Sequence, residues 1–223
     1  RTLYQMISEA LLMDNMEYMA KFPDKYFDLA VLDPPYGIGD FNTSKSRKIH
    51  KKIQWNNSIP DKRYFDEIYR VSKNQIIWGA NYFGNYIKSV GRIIHDKTYN
   101  TGEQLKELSD ADIASHSFGV NIKIFRYGWR GNVQGSKINW KNDGIDGRIH
   151  PCQKPVALYD WIYAKYLPEG GKVLDTHLGS GSNRIAACKA GNIDFYSCEN
   201  DPDHYNDQEK RWKNYKSQLV LQF

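Results

Sequence analysis

Cysteine is scarce in this sequence: its 223 residues include only Cys152, Cys188 and Cys198. Three cysteines are too few for a disulfide framework, and they lack the closely spaced pairs that bind structural zinc. We therefore expect three reduced, structural cysteines and no metal site.

Long apolar segments are missing as well. No stretch approaches the roughly 18 consecutive apolar residues of a membrane-spanning helix, and the first residues do not form a signal-peptide pattern. The sequence therefore predicts a soluble, intracellular protein without a membrane partner. Internal repeats are absent too, and a chain that is 40% hydrophobic suits one domain over residues 1–223, or one domain that carries a small insertion.

Acidic residues are outnumbered by basic ones, and the formal net charge is +5. Such an excess is compatible with a polyanionic partner but does not require one. One acid-free run contains five basic residues: Lys45, Arg47, Lys48, Lys51 and Lys52. A run of this kind is often a solvated loop, but this one directly follows a Pro-Pro-Tyr turn, which favours contact with phosphate groups.

Hydrophobic patterns alternate between strands and helices. Short apolar runs predict strands at residues 27–32, 75–78, 91–95, 172–175 and 193–198. Helical spacing predicts helices at residues 61–72, 156–167 and 182–190. This alternation indicates an open, mostly parallel α/β sheet, in which ligands bind outside the carboxyl ends of the strands.

A glycine-rich turn follows the predicted strand that ends at Asp175. Gly179 and Gly181 lack β-carbons and would let the backbone approach a bound molecule closely. About 20 residues later, Glu199 ends another strand, at the position from which an acid grips ribose hydroxyls in dinucleotide-type folds. These residues leave NAD, a nucleotide, a methyl donor or a purely structural turn as alternatives.

The carboxylate of Asp175 narrows those alternatives. It would repel a pyrophosphate, and no Gly-Lys-Ser/Thr sequence follows to cradle one. A positively charged ligand fits better. S-adenosylmethionine carries an ammonium and a sulfonium group and has no phosphate, so the turn favours it as the cofactor.

The most specific motif in the chain is Asp33-Pro34-Pro35-Tyr36. Its two prolines fix the backbone directly after a predicted buried strand. In isolation the motif is no more than a strand capped by a rigid turn. Its meaning depends on the other motifs around it.

Five motifs together resemble the β class of amino-group DNA methyltransferases, in which the catalytic motif precedes the cofactor motif. In chain order they lie at residues 33–37 (DPPYG), 77–83 (IWGANYF), 109–114 (SDADIA), 150–155 (HPCQKP) and 174–181 (LDTHLGSG). The resemblance spans most of the chain. It implies a Rossmann-like methyltransferase fold with a circularly permuted motif order, a mostly parallel twisted sheet and helices on both of its faces.

The resemblance also implies roles for individual residues. The catalytic turn would consist of Asp33, Pro34, Pro35 and Tyr36. The residues placed around S-adenosylmethionine are Asp14, Asp33, His150, Lys154, Asp175, Leu178, Gly179, Gly181, Ser182 and Glu199. Thr176 and His177 depart from the family pattern, which has proline and an aromatic residue there, and His177 is either a packing residue or a ligand contact.

The family places its target-recognition segment before the HPCQKP motif, which here corresponds to an insertion at approximately residues 113–149. Basic residues alternate in it with aromatic ones such as Trp129, which is typical of phosphate contact combined with base stacking. A segment that merely packs on the sheet is the alternative. The DNA-binding candidates in this interval are Arg126, Arg130 and Lys137.

We therefore predict a site-specific enzyme that extrudes an adenine from double-stranded DNA and transfers a methyl group directly from S-adenosylmethionine to its N6 atom. The resemblance implies a bacterial or phage-encoded protein of the host cytoplasm, in a restriction-modification setting, as a monomer or a homodimer. The alternatives are methylation of cytosine N4, of RNA or of a protein amide, and a catalytically silent DNA-binding subunit.

Overall fold

The computed structural model describes residues 6–39, 58–99, 109–130, 133–134, 149 and 152–220. Its strands are β1 (Ser8–Leu12), β2 (Phe27–Leu32), β3 (Ser72–Trp78), β4 (Gly91–Asp96), β5 (Ala111–His116), β6 (Ile122–Arg126), β7 (Trp129–Arg130), β8 (Val133–Gln134), β9 (Gly171–Asp175) and β10 (Ile193–Glu199). Its helices are α1 (Asn15–Met19), α2 (Lys62–Val71), α3 (Val156–Tyr166), α4 (Ser182–Ala190) and α5 (Pro202–Val220). None of the helices in these ranges is both long enough and apolar enough to cross a membrane.

Eight of the strands form one sheet in the order β1-β10-β9-β2-β3-β5-β4-β6. The first five in that order are parallel to one another. β5 runs antiparallel to both of its neighbours, and β6 is parallel to β4 at the edge. The predicted mostly parallel α/β sheet is thus confirmed. β7 and β8 pair separately as a two-stranded ribbon.

The central strand β2 shows why helices cover both faces of the sheet. Its side chains alternate, so that Leu29 and Val31 enter one core while Ala30 and Leu32 enter the other. The first core is closed by α3 and α4, and the second by α1 and α2. A strand that is buried on both faces has the continuous apolar run seen at residues 27–32.

The helix boundaries follow from local signals. Asp61 caps α2 by accepting a hydrogen bond from the Tyr64 N–H at 3.3 Å. α4 ends before Gly191, whose φ of 76° is the left-handed conformation that favours glycine after a helix. α2, α3 and α4 therefore lie where the spacing predicts them, within one residue at each end.

The interval expected to recognise the target, residues 113–149, begins inside the central sheet. Ile113 belongs to β5, and the whole of β6 lies within the interval. β5 fills the position between β3 and β4, so its residues are part of the fold rather than of an inserted loop. The segment that leaves the sheet starts after Arg126.

His95 is buried one residue before the carboxyl end of β4. It lies opposite Asp112 of β5, and its Nε2 atom donates to the carbonyl oxygen of Tyr127 at 3.1 Å. Burial lowers the pKa of His95 from 6.5 to about 4, although the Asp112 carboxylate acts in the opposite direction. The imidazole is therefore neutral at neutral pH.

This neutral, buried histidine makes the fold sensitive to acid. Between pH 6.5 and about 4, the unfolded chain binds a proton at His95 that the folded protein does not, so the free energy of unfolding falls as the pH falls. We expect His95→Gln, which keeps a side-chain donor, to remove up to about 1.4 kcal/mol per pH unit from that dependence. Urea unfolding of both proteins across this interval measures it, and equal slopes would contradict the buried neutral state.

Candidate active site at the carboxyl edge of the sheet

The carboxyl ends of the parallel strands meet at one edge of the sheet. Acidic residues follow or end four of these strands: Asp14, Asp33, Asp175 and Glu199. Because β5 is antiparallel to β3, the beginning of β5 joins them and brings Asp112 to the same edge. Carboxylates that are far apart in the sequence are thus collected in one place.

The Asp33-Pro34-Pro35-Tyr36 turn begins directly after β2. The Tyr36 hydroxyl donates to Asp33 Oδ1 at 2.5 Å, and the Lys154 ammonium donates to Asp33 Oδ2 at 2.5 Å. The Asp33 side chain is 19% exposed, and both of its oxygens are held by donors. The two prolines stiffen the turn because each has a restricted φ angle.

Lys154 is the cation of this site. Its side chain is 6% exposed, and its Nζ atom also lies 3.3 Å from the Tyr36 hydroxyl oxygen. Burial alone would lower the pKa of Lys154, but the carboxylates of Asp33 and Asp112 outweigh that effect and raise it. Lys154 therefore remains an ammonium ion beside the turn.

Asp112 and Lys97 extend this ion pair into a series of alternating charges. Lys97 Nζ lies 2.8 Å from Asp112 Oδ1, and both side chains are largely buried. Burial favours a higher pKa for the Asp112 carboxyl, but Lys154 and Lys97 overcome it and lower the pKa. Sequence reasoning assigned no role to either residue; only the place of Asp112 within the SDADIA motif singled it out.

Trp129 ties the chain segment after β6 to the segment that carries Lys154. Its indole N–H donates to the carbonyl oxygen of Gln153 at 2.5 Å, and the residue is 8% exposed. Its backbone N–H donates to the carbonyl oxygen of Lys97 at 3.1 Å. This aromatic residue of the expected recognition segment is therefore packed inside the protein rather than offered for base stacking.

The ring of Tyr36 is enclosed by residues that follow β3. Gly79 has a φ of 79°, and a β-carbon at this position would collide with the Tyr36 ring. The Tyr82 ring stacks on that of Tyr36 with centroids 4.9 Å apart and an angle of 17° between the planes, and Phe83 meets Tyr36 edge-on at 6.0 Å. Burial, reinforced by the Asp33 charge, raises the pKa of Tyr36 well above its ordinary value, so its hydroxyl remains a donor.

Asp175 ends β9 as a buried carboxyl group. It accepts hydrogen bonds from the Asn183 side chain at 2.9 Å and from the His177 N–H at 3.1 Å. Burial raises the pKa of Asp175 to about 7 despite those bonds, and the charges of Asp33 and Glu199 add to the rise. A buried acid in this state favours a positively charged ligand beside it.

The glycine turn lies between Asp175 and α4. Gly179 and Gly181 have φ values of 52° and 73°, which residues with side chains rarely adopt. The Gly179 N–H donates to Glu199 Oε2 at 2.9 Å. The acid expected to grip a ribose is therefore fixed against the turn that would approach the same ligand.

Three other predicted cofactor residues have partners within the protein. Leu178 is buried, and the Ser182 hydroxyl accepts a hydrogen bond from Arg211 at 2.9 Å where α4 begins. Asp14 caps α1 by accepting from two backbone N–H groups of its first turn at 2.8 and 3.2 Å. These contacts fix the shape of the glycine turn and of the helix start beside β1.

His177 belongs to a cluster of polar side chains. Its Nε2 lies 3.3 Å from the Asn15 amide nitrogen, and its Nδ1 lies 3.2 Å from the Tyr64 hydroxyl. Burial lowers the pKa of His177 to about 4, so the ring is neutral. These contacts support the interpretation of His177 as a packing residue.

Several predicted residues lie outside the described part of the chain: Lys45, Arg47, Lys48, Lys51, Lys52, Lys137 and His150. Arg130 is in β7, but its side chain lies outside the described part as well. Arg126 is exposed at the carboxyl end of the edge strand β6. Among the described side chains, no group of three or more His, Cys, Asp or Glu could hold a metal ion.

Comparison with known proteins connects this site to a family. The family model described as DNA methylase matches residues 96–210, which is 115 of the 223 residues. The chain belongs to the DNA methylase family. The matched part of this methylase includes Lys154, Asp175 and Glu199. The Escherichia coli (strain K12) protein YubD, which is named as a methylase, is 26% identical over 192 residues, covering 80% of this chain and 78% of YubD.

Two solved structures share the fold of the methylase. The complex of M1.HpyAVI with S-adenosylmethionine has a TM-score of 0.55 at 15% identity and covers 91% of this chain and 98% of its own. The PvuII DNA methyltransferase, which is cytosine-N4-specific, has a TM-score of 0.58 at 14% identity, with coverages of 93% and 87%. At these identities the likeness concerns the fold alone.

The Asp33–Lys154 ion pair predicts a strong coupling between two substitutions. Lys154→Met leaves the Asp33 carboxylate without its ammonium partner and should lower the free energy of unfolding by about 3 kcal/mol. Adding Asp33→Asn removes the unpaired charge, so the double variant should recover much of that loss. Urea unfolding of all four proteins measures the coupling, and strictly additive effects would contradict a direct pair.

A matched control is available at the surface. Lys62 pairs with Asp66 on α2, and their side chains are 72% and 47% exposed. Lys62→Met should therefore change the free energy of unfolding by less than about 1 kcal/mol. A loss as large as that of Lys154→Met would show that the substitution itself, rather than the buried pair, is responsible.

Proposed function

We propose that this methylase transfers a methyl group from S-adenosylmethionine to the exocyclic amino group of a base in double-stranded DNA, with adenine N6 as the preferred acceptor. The placement of Asp33 carries the proposal. Tyr36 and Lys154 fix its carboxylate in a stiff turn directly after β2, and β2 pairs with β9, which ends at the buried Asp175. An acceptor for amino hydrogens therefore lies beside a site suited to a cationic cofactor.

The residues around the glycine turn fit S-adenosylmethionine. When bound, this cofactor supplies a methyl group activated by a sulfonium. The Asp175 carboxyl suits its positive charge, and Glu199 at the end of β10 suits its ribose hydroxyls. Gly179 and Gly181 would let the backbone approach it. The M1.HpyAVI structure that shares this fold is a complex with the same cofactor.

Lys154 and Trp78 offer donors for the carboxylate of the cofactor's methionine part. An ammonium group has three N–H bonds, and Lys154 directs two of them at Asp33 and at the Tyr36 hydroxyl oxygen. The ring of Trp78 lies next to Lys154, whose Nζ atom is 5.2 Å from the ring centroid. The buried Trp78 Nε1 has no hydrogen-bond partner among the described residues. A buried donor of this kind favours a ligand oxygen nearby.

Asp33 would act on the base by accepting hydrogen bonds. The lone pair of an exocyclic amino group is delocalised into the base, so the nitrogen is a poor nucleophile. The Asp33 carboxylate and the Pro34 carbonyl would accept its two N–H bonds and localise the lone pair on nitrogen. The carboxylate would also stabilise the positive charge that develops there, and the proton would leave afterwards.

We propose double-stranded DNA as the partner because the chain belongs to the DNA methylase family, and the acceptor base would have to leave the duplex to reach Asp33. The basic run at residues 45–52, together with Arg126, Arg130 and Lys137, would contact the phosphates. Arg126 supports this role. It is exposed at the carboxyl end of β6, and the site lies at the carboxyl ends of the other parallel strands. We place the enzyme in the cytoplasm, in a restriction-modification setting, as a monomer or a homodimer.

Adenine is preferred because the resemblance associates an Asp at the head of the turn with methylation of N6. Cytosine N4 is the second candidate, since the cytosine-N4-specific PvuII enzyme shares the fold. Mass spectrometry of digested product DNA separates the two, because N6-methyladenine and N4-methylcytosine are distinguishable. A protein that binds cofactor and DNA but yields no methylated base would instead be a silent DNA-binding subunit.

Removing the acceptor should stop the chemistry and spare the cofactor site. Asp33→Asn keeps the size of the side chain, and we expect methyl transfer to DNA to slow by about 100- to 1000-fold or more. Asp33→Ala should have at least the same effect. Tritiated-methyl transfer measures the rate, and calorimetry should show S-adenosylmethionine binding largely unchanged. Near-normal transfer by either variant would contradict the role of Asp33.

Cofactor binding should depend on the ionisation of Asp175. A cationic ligand binds the carboxylate better than the neutral acid, so affinity should rise as the pH rises through about 7. Asp175→Asn should bind more weakly and lose this rise. Calorimetric titrations of both proteins at matched pH values separate the effect from ionisation of the cofactor itself. The same pH dependence in the variant would rule out Asp175 as its source.

A further inference from the structure

Two aromatic rings meet where a base has to reach Asp33. The Tyr36 hydroxyl donates to Asp33 at 2.5 Å, and the Tyr36 ring stacks on the Tyr82 ring with centroids 4.9 Å apart. Asp33 therefore contacts the hydroxyl end of one member of a nearly parallel pair of rings. An amino group held at Asp33 would lie close to this stacked pair.

Tyr82 is the outer and more adaptable member of the pair. Tyr82 is 41% exposed, whereas Tyr36 is half-buried and also contacts Phe83. Tyr82 belongs to a short turn after β3, in which its N–H donates to the Gly79 carbonyl oxygen at 2.8 Å. The Tyr82 side chain can rotate without disturbing the sheet, while a shift of Tyr36 would break its contact with Asp33.

The distance between the amino group of the base and Asp33 limits where the base can lie. An amino nitrogen has to come within about 3 Å of an Asp33 oxygen to donate to it. A base stacked on the outer face of Tyr82 would be separated from Tyr36, and hence from Asp33, by the whole thickness of the Tyr82 ring. A base that enters between the two rings would present its edge to Asp33.

We propose that the target base inserts between Tyr36 and Tyr82, and that Tyr82 is a substrate-binding residue that forms the second wall of the base pocket. The proposal rests on the proposed function, since it concerns the same site. Stacking on both faces holds a flat purine or pyrimidine in one plane, with its amino group toward Asp33. Tyr36 would form the first wall of this pocket.

The test uses three substitutions and one fluorescent base. Tyr82→Phe keeps the ring, whereas Tyr82→Leu and Tyr82→Ala remove it. Each protein is titrated, with S-adenosylhomocysteine present, into a duplex that carries 2-aminopurine at the position the unmodified protein methylates. We expect Tyr82→Phe to extrude the base normally. Tyr82→Leu and Tyr82→Ala should bind the extruded base about 5- to 100-fold more weakly, with a matching loss of kcat/KM for DNA.

Tyr215→Ala is the control, because Tyr215 lies on α5, which packs against β1 and β10 at the other end of the sheet. It should leave extrusion and methylation unchanged. Calorimetric binding of S-adenosylhomocysteine reports whether each variant is folded. If Tyr82→Ala does not fold, Tyr82→Leu tests the role of the ring. A ring-less variant that extrudes the base as well as the unmodified protein, or better, overturns the proposal.

A failure of the proposed function can be distinguished from a failure of the role proposed for Tyr82. If the unmodified protein methylates no DNA, the proposed function is wrong and the base pocket falls with it. If the unmodified protein methylates DNA and the Tyr82 variants match it in extrusion and in kcat/KM, only the role of Tyr82 is wrong.

Discussion

The ion pair between Asp33 and Lys154 joins the two halves of the site. Its members are 121 residues apart in the chain. They meet because the turn after β2 lies next to the residues that directly precede α3. Two charges that are largely withdrawn from water each carry a desolvation cost, which their contact offsets only at close range. The Pro-Pro turn, the buried Trp129 and the start of α3 all serve to keep that contact short.

Charge at the carboxyl edge is not balanced by these two residues alone. Lys154 and Lys97 face Asp33 and Asp112, whereas Asp175 is more deeply buried and, among the described residues, accepts hydrogen bonds from the Asn183 side chain and a backbone N–H. Burial is the main cause of its raised pKa, and the neighbouring charges of Asp33 and Glu199 add to it. A cation beside Asp175 would stabilise its carboxylate, so this arrangement favours a positively charged ligand over a phosphate.

An apolar buried face or a glycine boundary made an element predictable from the sequence, and a polar buried face without such a boundary did not. β2 follows the hydrophobic pattern, and α4 lies between the glycine turn and Gly191, although Asn183 and Arg184 are buried in it. α5 was missed because its buried positions include His204, Gln208 and Arg211, which have helical spacing but are polar. β5 was missed for a similar reason, since Ser115 and His116 are buried in it.

Only some residues of the candidate site could be predicted from the sequence. The motifs identified Asp33, Tyr36 and Asp175, because their local sequence is specific. They gave no indication that Lys154 contacts Asp33, or that Lys97 pairs with Asp112. Those contacts depend on strand order and on the register between β4 and β5, which follow from pairing of the whole sheet rather than from any short segment.

The hydrogen bond between Trp129 and Gln153 helps to fix the position of Lys154 from outside the segment that carries it. It clamps the chain at two points 24 residues apart, one at the start of β7 and one next to Lys154. Trp129 and Gln153 are both buried, so each of these two points is held from within the protein. A change in the number of residues between these two points would therefore leave the ammonium group of Lys154 beside the Pro-Pro turn.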